Sequence, residues 1–257
     1  MKTKIIVKIL IFSVLCLWLM DAPRAQDVLM RVYGSEIYAE SPALSCLGPT
    51  CACARFRNDF GTKEMMFAET DGLLMRCKNG VLLSVSHYGY TNYGNFSLGV
   101  GYGRNFGDRF AMTARVFYLM AHARGYPLRH SLCADFSIAY KVSEKLLVDA
   151  AVYNPFMLRY GVVGQEIIPM RFSVGCAYVP ARRLLVSLRM SKDLPGAWEV
   201  GCRVIVQPVP PLLFAADCTN SHIGLYVGWL CGRFLFSVQA AWYYRVSVSP
   251  QLGIGYF

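Results

Sequence analysis

Apolar side chains recur at every second position across residues 64–257, and small or charged residues fill the positions between. The chain is 55% apolar and only 16% charged, yet after residue 20 no run reaches the roughly 18 apolar residues of a membrane helix. Together these predict an all-β protein, a transmembrane antiparallel β-barrel of about 12–14 strands with an irregular N-terminal segment, because barrel strands turn alternate side chains to lipid and to an enclosed lumen. A soluble β-sandwich alternates too. Here, however, the small face carries hydroxyls and charges, while the other face holds nearly every Trp, Phe and Val.

Residues 1–25 read as a signal peptide. Lys2, Lys4 and Lys8 precede a short apolar core from Ile9 to Met20, and Ala25 suits a cleavage site although Pro23 stands where a small residue is preferred. The core is too short for a membrane helix. Val14 and Leu15 sit where a lipid-modified Cys16 would require a small residue. Without residues 1–25 the net charge falls from +10 to +7. Such a leader on a barrel implies the outer membrane of a Gram-negative cell, with outer-membrane lipid as the first partner.

Residues 26–63 form the irregular segment. The run 42–62 is rich in Gly, Pro and small residues and predicts no long strand of its own. It is either a plug in the lumen or a periplasmic extension. Residues 64–257 form the barrel. Met65 to Cys77 suggests a short hairpin around Asp71-Gly72, and Lys78-Asn79-Gly80 is a tight-turn signal. Val81, Leu83 and Val85 alternate with Leu82, Ser84 and Ser86. A loop rich in Tyr, Gly and Asn follows, from Tyr88 to Asn95.

The clearest hairpin spans Asn95 to Ala121. Phe96, Leu98, Val100 and Tyr102 alternate with Ser97, Gly99, Gly101 and Gly103, and Phe110 to Met120 repeats the pattern after the Asn105-Phe106-Gly107-Asp108 turn. Leu132, Ala134, Phe136 and Ile138 continue it, then Leu146 to Val152, then a long loop from Asn154 to Pro169. Further strands centre on Val174, Val186, Val204, Leu212–Asp217, Val227 and Val238, and the last runs from Ser247 to Phe257. Twelve strands follow Val81, and the 65–77 hairpin makes fourteen. Tight connections near 105–109, 141–145, 179–183, 207–211 and 231–233 alternate with longer ones, the asymmetry of barrels whose short turns face the periplasm.

The terminal Gly255-Tyr256-Phe257 resembles the end signal of outer-membrane barrels, although Leu252, Ile254 and Tyr256 are out of phase with Phe257. The pieces NFSLGVGYGRNFGDRFAMTARVFYL, SLCADFSIAYKVSEKLLVDAAVYN and IIPMRFSVGCAYVPARRLLVSLRMSKD resemble in layout the barrel family of type IX secretion outer-membrane components (PorV/PorQ-like), distant relatives of long-chain fatty-acid transporters. The likeness covers residues 80–257. The nearest match to that family's N-terminal Gly-rich motif is Asn58-Asp59-Phe60-Gly61. The resemblance implies a docking or structural component that binds secretion-system proteins at its loops. The alternative is a channel for hydrophobic small molecules, and a third reading is a lipid-modifying barrel enzyme.

The polar face carries Arg115, Asp135, Asp149, Arg171, Arg189, Glu199 and Arg203. Charges in a membrane span must face a cavity or one another, so these are expected to form a lumen charge network. Arg115–Asp135, Asp149–Arg171 and Arg189–Glu199 are the candidate cross-strand pairs. Either they fill a closed barrel or they line a conduction path. The histidines are His87, His122, His130 and His222. Within a strand His130-Ser131 or Ser221-His222 would point to opposite faces, so no catalytic residue is expected. Gly99-Val100-Gly101-Tyr102-Gly103 lies inside a strand and makes no phosphate loop.

Nine cysteines follow the leader: 46, 51, 53, 77, 133, 176, 202, 218 and 231. Cys46-x4-Cys51-x-Cys53 lacks the second Cys pair or His of a zinc site, so neither metal nor cofactor is expected. A disulfide among these three stays open. Arg124, Arg129, Arg182 and Arg183 near strand ends suit anionic headgroups, and nucleic acid is no expected partner.

Overall fold

The computed structural model describes residues 29–30, 32–34, 38, 40–48, 50–59, 66–76, 78–90, 92–160, 166–244 and 248–256. The expected leader and Phe257 lie outside these residues. After a short helix α1 (Pro42–Cys46) the strands are β1 (Cys51–Asn58), β2 (Met66–Arg76), β3 (Asn79–Tyr90), β4 (Tyr93–Phe106), β5 (Phe110–Ala123), β6 (Arg129–Ser143), β7 (Leu146–Tyr153) and β8 (Arg159–Tyr160). They continue as β9 (Glu166–Ile167), β10 (Met170–Ala181), β11 (Leu184–Leu194), β12 (Trp198–Val209), β13 (Leu212–Thr219), β14 (His222–Cys231), β15 (Phe234–Tyr243) and β16 (Val248–Tyr256).

Fourteen of these close into one antiparallel barrel. Chain neighbours pair with each other, except that β7 pairs with β10 across the small β8–β9 sheet. Closure is made by β1 against β16, with Ala52 opposite Tyr256 and Arg57 opposite Gln251. A closed ladder pairs the backbone polar groups that hydrocarbon could not satisfy.

Fourteen is the upper end of the expected strand number, reached by a different route. Cys51–Asn58 lies inside the stretch expected to be irregular, and it is a full barrel strand. Its outward residues include Ala52 and Ala54, too small to give the lipid-facing signature, while Cys53, Arg55 and Arg57 share the inward face. Conversely, 65–77 does not fold back on itself: Met66–Arg76 is one strand. Asp71 and Gly72 have turn propensity, but ladder partners on both sides hold them extended, Cys53 and Ala52 on one edge, Ser84 and Leu83 on the other. The barrel therefore begins at Cys51 rather than residue 64.

Outside, an aliphatic band is flanked by two aromatic belts. Val81, Leu83, Val100, Val116, Ile138, Leu188, Val227 and Val238 are exposed in the middle. Phe106, Tyr140, Tyr178, Trp229 and Phe234 ring the tight-turn end, and Tyr93, Trp198, Trp242 and Tyr244 the opposite end. Val116 is 57% exposed and Trp242 67%. In water such a continuous apolar surface would drive association; in a bilayer each square ångström is relieved of about 25 cal/mol of hydration cost, with Trp and Tyr at the headgroup level.

Inside, the tight-turn half of the barrel is packed. Leu29, Val32, Tyr33, Tyr38, Ala43, Leu44 and Cys46 form one buried cluster with inward residues from β2 round to β15, among them Leu73, Leu82, Ala139, Val179, Ile205 and Leu235. Small wall residues make room for this segment: a Cβ on Gly103 would lie 2.5 Å from the Cys46 Sγ. Ala43 N donates to Ser137 Oγ at 3.0 Å, Tyr38 OH donates to Gly72 O at 2.9 Å, and Asn105 Nδ2 donates to Cys46 O. Of the segment offered as plug or extension, the described residues between 29 and 48 pack within the lumen, while 51–58 belong to the wall.

Candidate functional site

Above the packed half, the lumen widens into a cavity of about 460 Å³. Its charged walls come from facing strands. On β1 and β2, Arg55 Nη2 meets Glu69 at 2.7 Å and Asp71 at 3.1 Å. On β5 and β6, Arg115 Nε donates to both Asp135 oxygens, at 3.1 and 2.9 Å, with both side chains buried. The Arg115 guanidinium lies 5.5 Å from the Tyr38 ring and 5.0 Å from Phe117. Nearer the far rim, Arg171 Nε donates to Asp193 at 2.6 Å. Phe67, Phe117, Leu119 and Tyr153 supply apolar surface, and Ser84, Ser86, Ser97 and Ser173 supply hydroxyls.

The connection after β7 buries two of its described residues, Asn154 and Ile168. Asn154 is fully buried with φ 50°, a left-handed backbone that Asn tolerates better than most residues. Its Nδ2 donates to Ile168 O at 2.8 Å and Leu158 O at 3.2 Å, and its Oδ1 accepts from Leu158 N at 3.0 Å. Ile168 then packs on Phe117, Leu119 and Cys133. Asn154 thereby ties the start of the connection to its end at Ile168.

The architecture has solved counterparts. In fold, the chain is similar to hydrocarbon channels. The toluene transporter TbuX of Ralstonia pickettii superposes with a TM-score of 0.63 over 86% of this chain and 92% of that one, at 9% identity. The toluene transporter TodX of Pseudomonas putida gives 0.62 over 87% and 93%, at 6% identity. The CymD monoaromatic hydrocarbon channel gives 0.60 over 87% and 92%, at 7% identity. Such identities establish a shared fold alone. No family model and no curated sequence matches the chain. A likeness to type IX secretion components is not shown by these structures.

Of the expected charge network, Arg115 and Asp135 meet directly. The other two expected pairs are replaced, for reasons of register. Asp149 and Arg189 both lie opposite Gly175, and across that residue Arg189 Nη2 donates to Asp149 at 2.9–3.0 Å. A side chain at Gly175 would meet both groups, its Cβ 2.6 Å from Asp149 Oδ1. Arg171 lies opposite Tyr153 and Asp193, four residues along the strand from Gly175, so it pairs with Asp193 instead of Asp149. Arg189 lies opposite Gly201 while Glu199 lies opposite Ser191, so Glu199 accepts from Ser221 Oγ at 2.9 Å. Arg203 faces Asp217 at 3.7 Å.

The strand argument against an adjacent Ser-His contact does not apply to Ser221-His222, because Ser221 lies in the turn before β14. Ser221 Oγ is 3.1 Å from His222 Nδ1, Thr219 Oγ1 is 3.0 Å from it, and His222 Nε2 is 3.1 Å from Asp217 Oδ2. Ser221 Oγ also donates to Glu199 Oε1 at 2.9 Å, so the imidazole shares it with a carboxylate. His130 stacks on Tyr118 on the outer wall. The described cysteines 46, 51, 53, 133, 176, 202, 218 and 231 are free thiols, and among the described residues no cluster of His, Cys, Asp or Glu could hold a metal ion.

Sequence reasoning missed Arg55, Arg57, Glu69, Asp71 and Glu40, which line the cavity. The signal was present: Arg55 and Arg57 alternate on the inward positions of β1, Glu69 and Asp71 on those of β2, and Arg55 lies opposite Glu69. It was hidden because neither segment was read as a full strand.

Proposed function

We propose that the protein is a channel of the Gram-negative outer membrane that admits small amphipathic molecules and is non-enzymatic. The observation that carries this reading is the 460 Å³ cavity enclosed by the barrel wall, with the packed residues 29–48 beneath it. A space of that size suits a small molecule rather than a protein segment. Aromatic rings beside serines and charges suit an occupant with an apolar body and a polar end. That proteins of similar fold are named as transporters of toluene and other monoaromatic hydrocarbons supports passage of small molecules. Passage past the tight-turn end requires the packed segment to shift, because its apolar cluster fills that half of the lumen.

Docking of secretion proteins at the loops draws no support from the cavity. The test is uptake of labelled small amphiphiles into proteoliposomes of the full chain against protein-free liposomes. Uptake above the protein-free rate is expected. Equal rates with correctly folded barrel, together with co-purification of secretion subunits, would replace the channel reading with docking.

A further inference from the structure

The cavity wall is chemically uneven. Arg55 faces two carboxylates, Glu69 at 2.7 Å and Asp71 at 3.1 Å, and Arg189 also faces two, Asp149 at 2.9 Å and Glu40 at 3.4 Å. At each place one guanidinium contacts two carboxyl groups, an excess of acidic contacts, although the whole chain carries +10. The Asp71 side chain is only 1% exposed. Its Oδ2 is bound to Arg55, while its Oδ1 is buried with no hydrogen-bond partner. Directly across the ladder, Ser84 is buried and its Oγ also lacks a partner. Both residues line the cavity, and Phe117 lines it beside them.

A buried carboxylate oxygen and a neighbouring hydroxyl without partners are a place for a donor to bind. The donor best matched to an excess of acidic contacts is itself cationic, because charge-assisted hydrogen bonds are the stronger kind. Phe117 and Tyr153, 5.7 Å apart in an edge arrangement, offer the adjoining apolar surface. We infer that the cavity is a binding site for organic cations, in which an ammonium group meets Asp71 and Ser84 and an apolar body lies along Phe117 and Tyr153. This deepens the channel reading and rests on it. A carboxylate in the same place meets like charge at Asp71 and Glu69. A neutral hydrocarbon brings no donor to Asp71 or Ser84 and leaves both without a partner.

Three probes share one body and differ in the end group: 2-phenylethylammonium, 2-phenylethanol and 3-phenylpropionate. Their binding to the full chain in detergent micelles is measured by calorimetry at neutral pH, with empty micelles as reference. The ammonium is expected to bind at least about tenfold more tightly than either other probe, an advantage of roughly 1.4 kcal/mol. Asp71→Asn is expected to remove that preference, and Ser84→Ala to weaken ammonium binding while leaving 2-phenylethanol unchanged. Equal binding of the three probes by the unaltered protein overturns the inference whether or not either variant folds. So does retention of the preference in folded Asp71→Asn. Because binding in micelles is read separately from uptake into liposomes, a protein that transports without discriminating loses only the cation site. One that binds the ammonium but transports nothing loses only the channel.

Discussion

Removing Asp135 should be the most damaging single polar change in the lumen. Its side chain and that of Arg115 are 7% and 2% exposed, and the carboxylate accepts from Arg115 Nε at 3.1 and 2.9 Å. Asp135→Ala leaves the guanidinium where it is, held over Phe117 and Tyr38, with no counter-charge. Breaking a buried pair from one side costs about 3–5 kcal/mol. That is a large share of the roughly 5–15 kcal/mol that keeps a typical domain folded. Replacing both partners with apolar residues, Arg115→Met with Asp135→Leu, removes the stranded charge and should return stability to within about 1–2 kcal/mol of the parent. The assay is reversible urea unfolding in lipid vesicles, followed by the mobility difference between folded and unfolded barrel on gels. A loss under about 1 kcal/mol for Asp135→Ala would mean that water from the cavity reaches the guanidinium, and the description of this pair as buried would be wrong.

Three further outcomes are expected. Gly103→Leu places a side chain where Cys46 now sits, since even a Cβ would lie 2.5 Å from its Sγ, so solute uptake and thiol labelling of Cys46 should both rise; unchanged labelling would show the segment seated elsewhere. Val116→Arg puts a charge in the middle of the aliphatic band and should lower stability in vesicles by about 2–4 kcal/mol, whereas a soluble fold would tolerate it at a site 57% exposed. Asn154→Ala removes three hydrogen bonds that tie the connection between β7 and β10 together and should make it a protease site, visible as two fragments, at a cost of about 1–3 kcal/mol.

The barrel was legible because its outer face is written in bulky residues. Phe110 to Met120 on β5 and Leu132 to Ile138 on β6 announce their lipid side without help from any partner. β1 was not legible, since its lipid side is Ala52, Ala54 and Phe56, and one aromatic after two alanines makes no bulky row. The charged positions on the inner face were legible as a set, but not their partners. Arg115 and Asp135 sit directly opposite, and chain order alone joins them. Asp149 and Arg189 are forty residues apart and meet only because β10 lies between them and presents Gly175 at their level. Register is a property of the closed sheet, and one residue of slip reverses which side chains share a face. The same limit hid Asp71: a turn signal in isolation, it becomes a wall residue once ladders form on both edges.

Trp198, Trp229 and Trp242 lie on the outer surface, at both ends of the wall. Their fluorescence in vesicles made with lipids brominated along the acyl chains reads directly which solvent that surface meets. Strong quenching by the brominated chains, with little by aqueous acrylamide, is the predicted result. Emission indifferent to brominated lipid and quenched from water would contradict a barrel whose apolar rows face hydrocarbon.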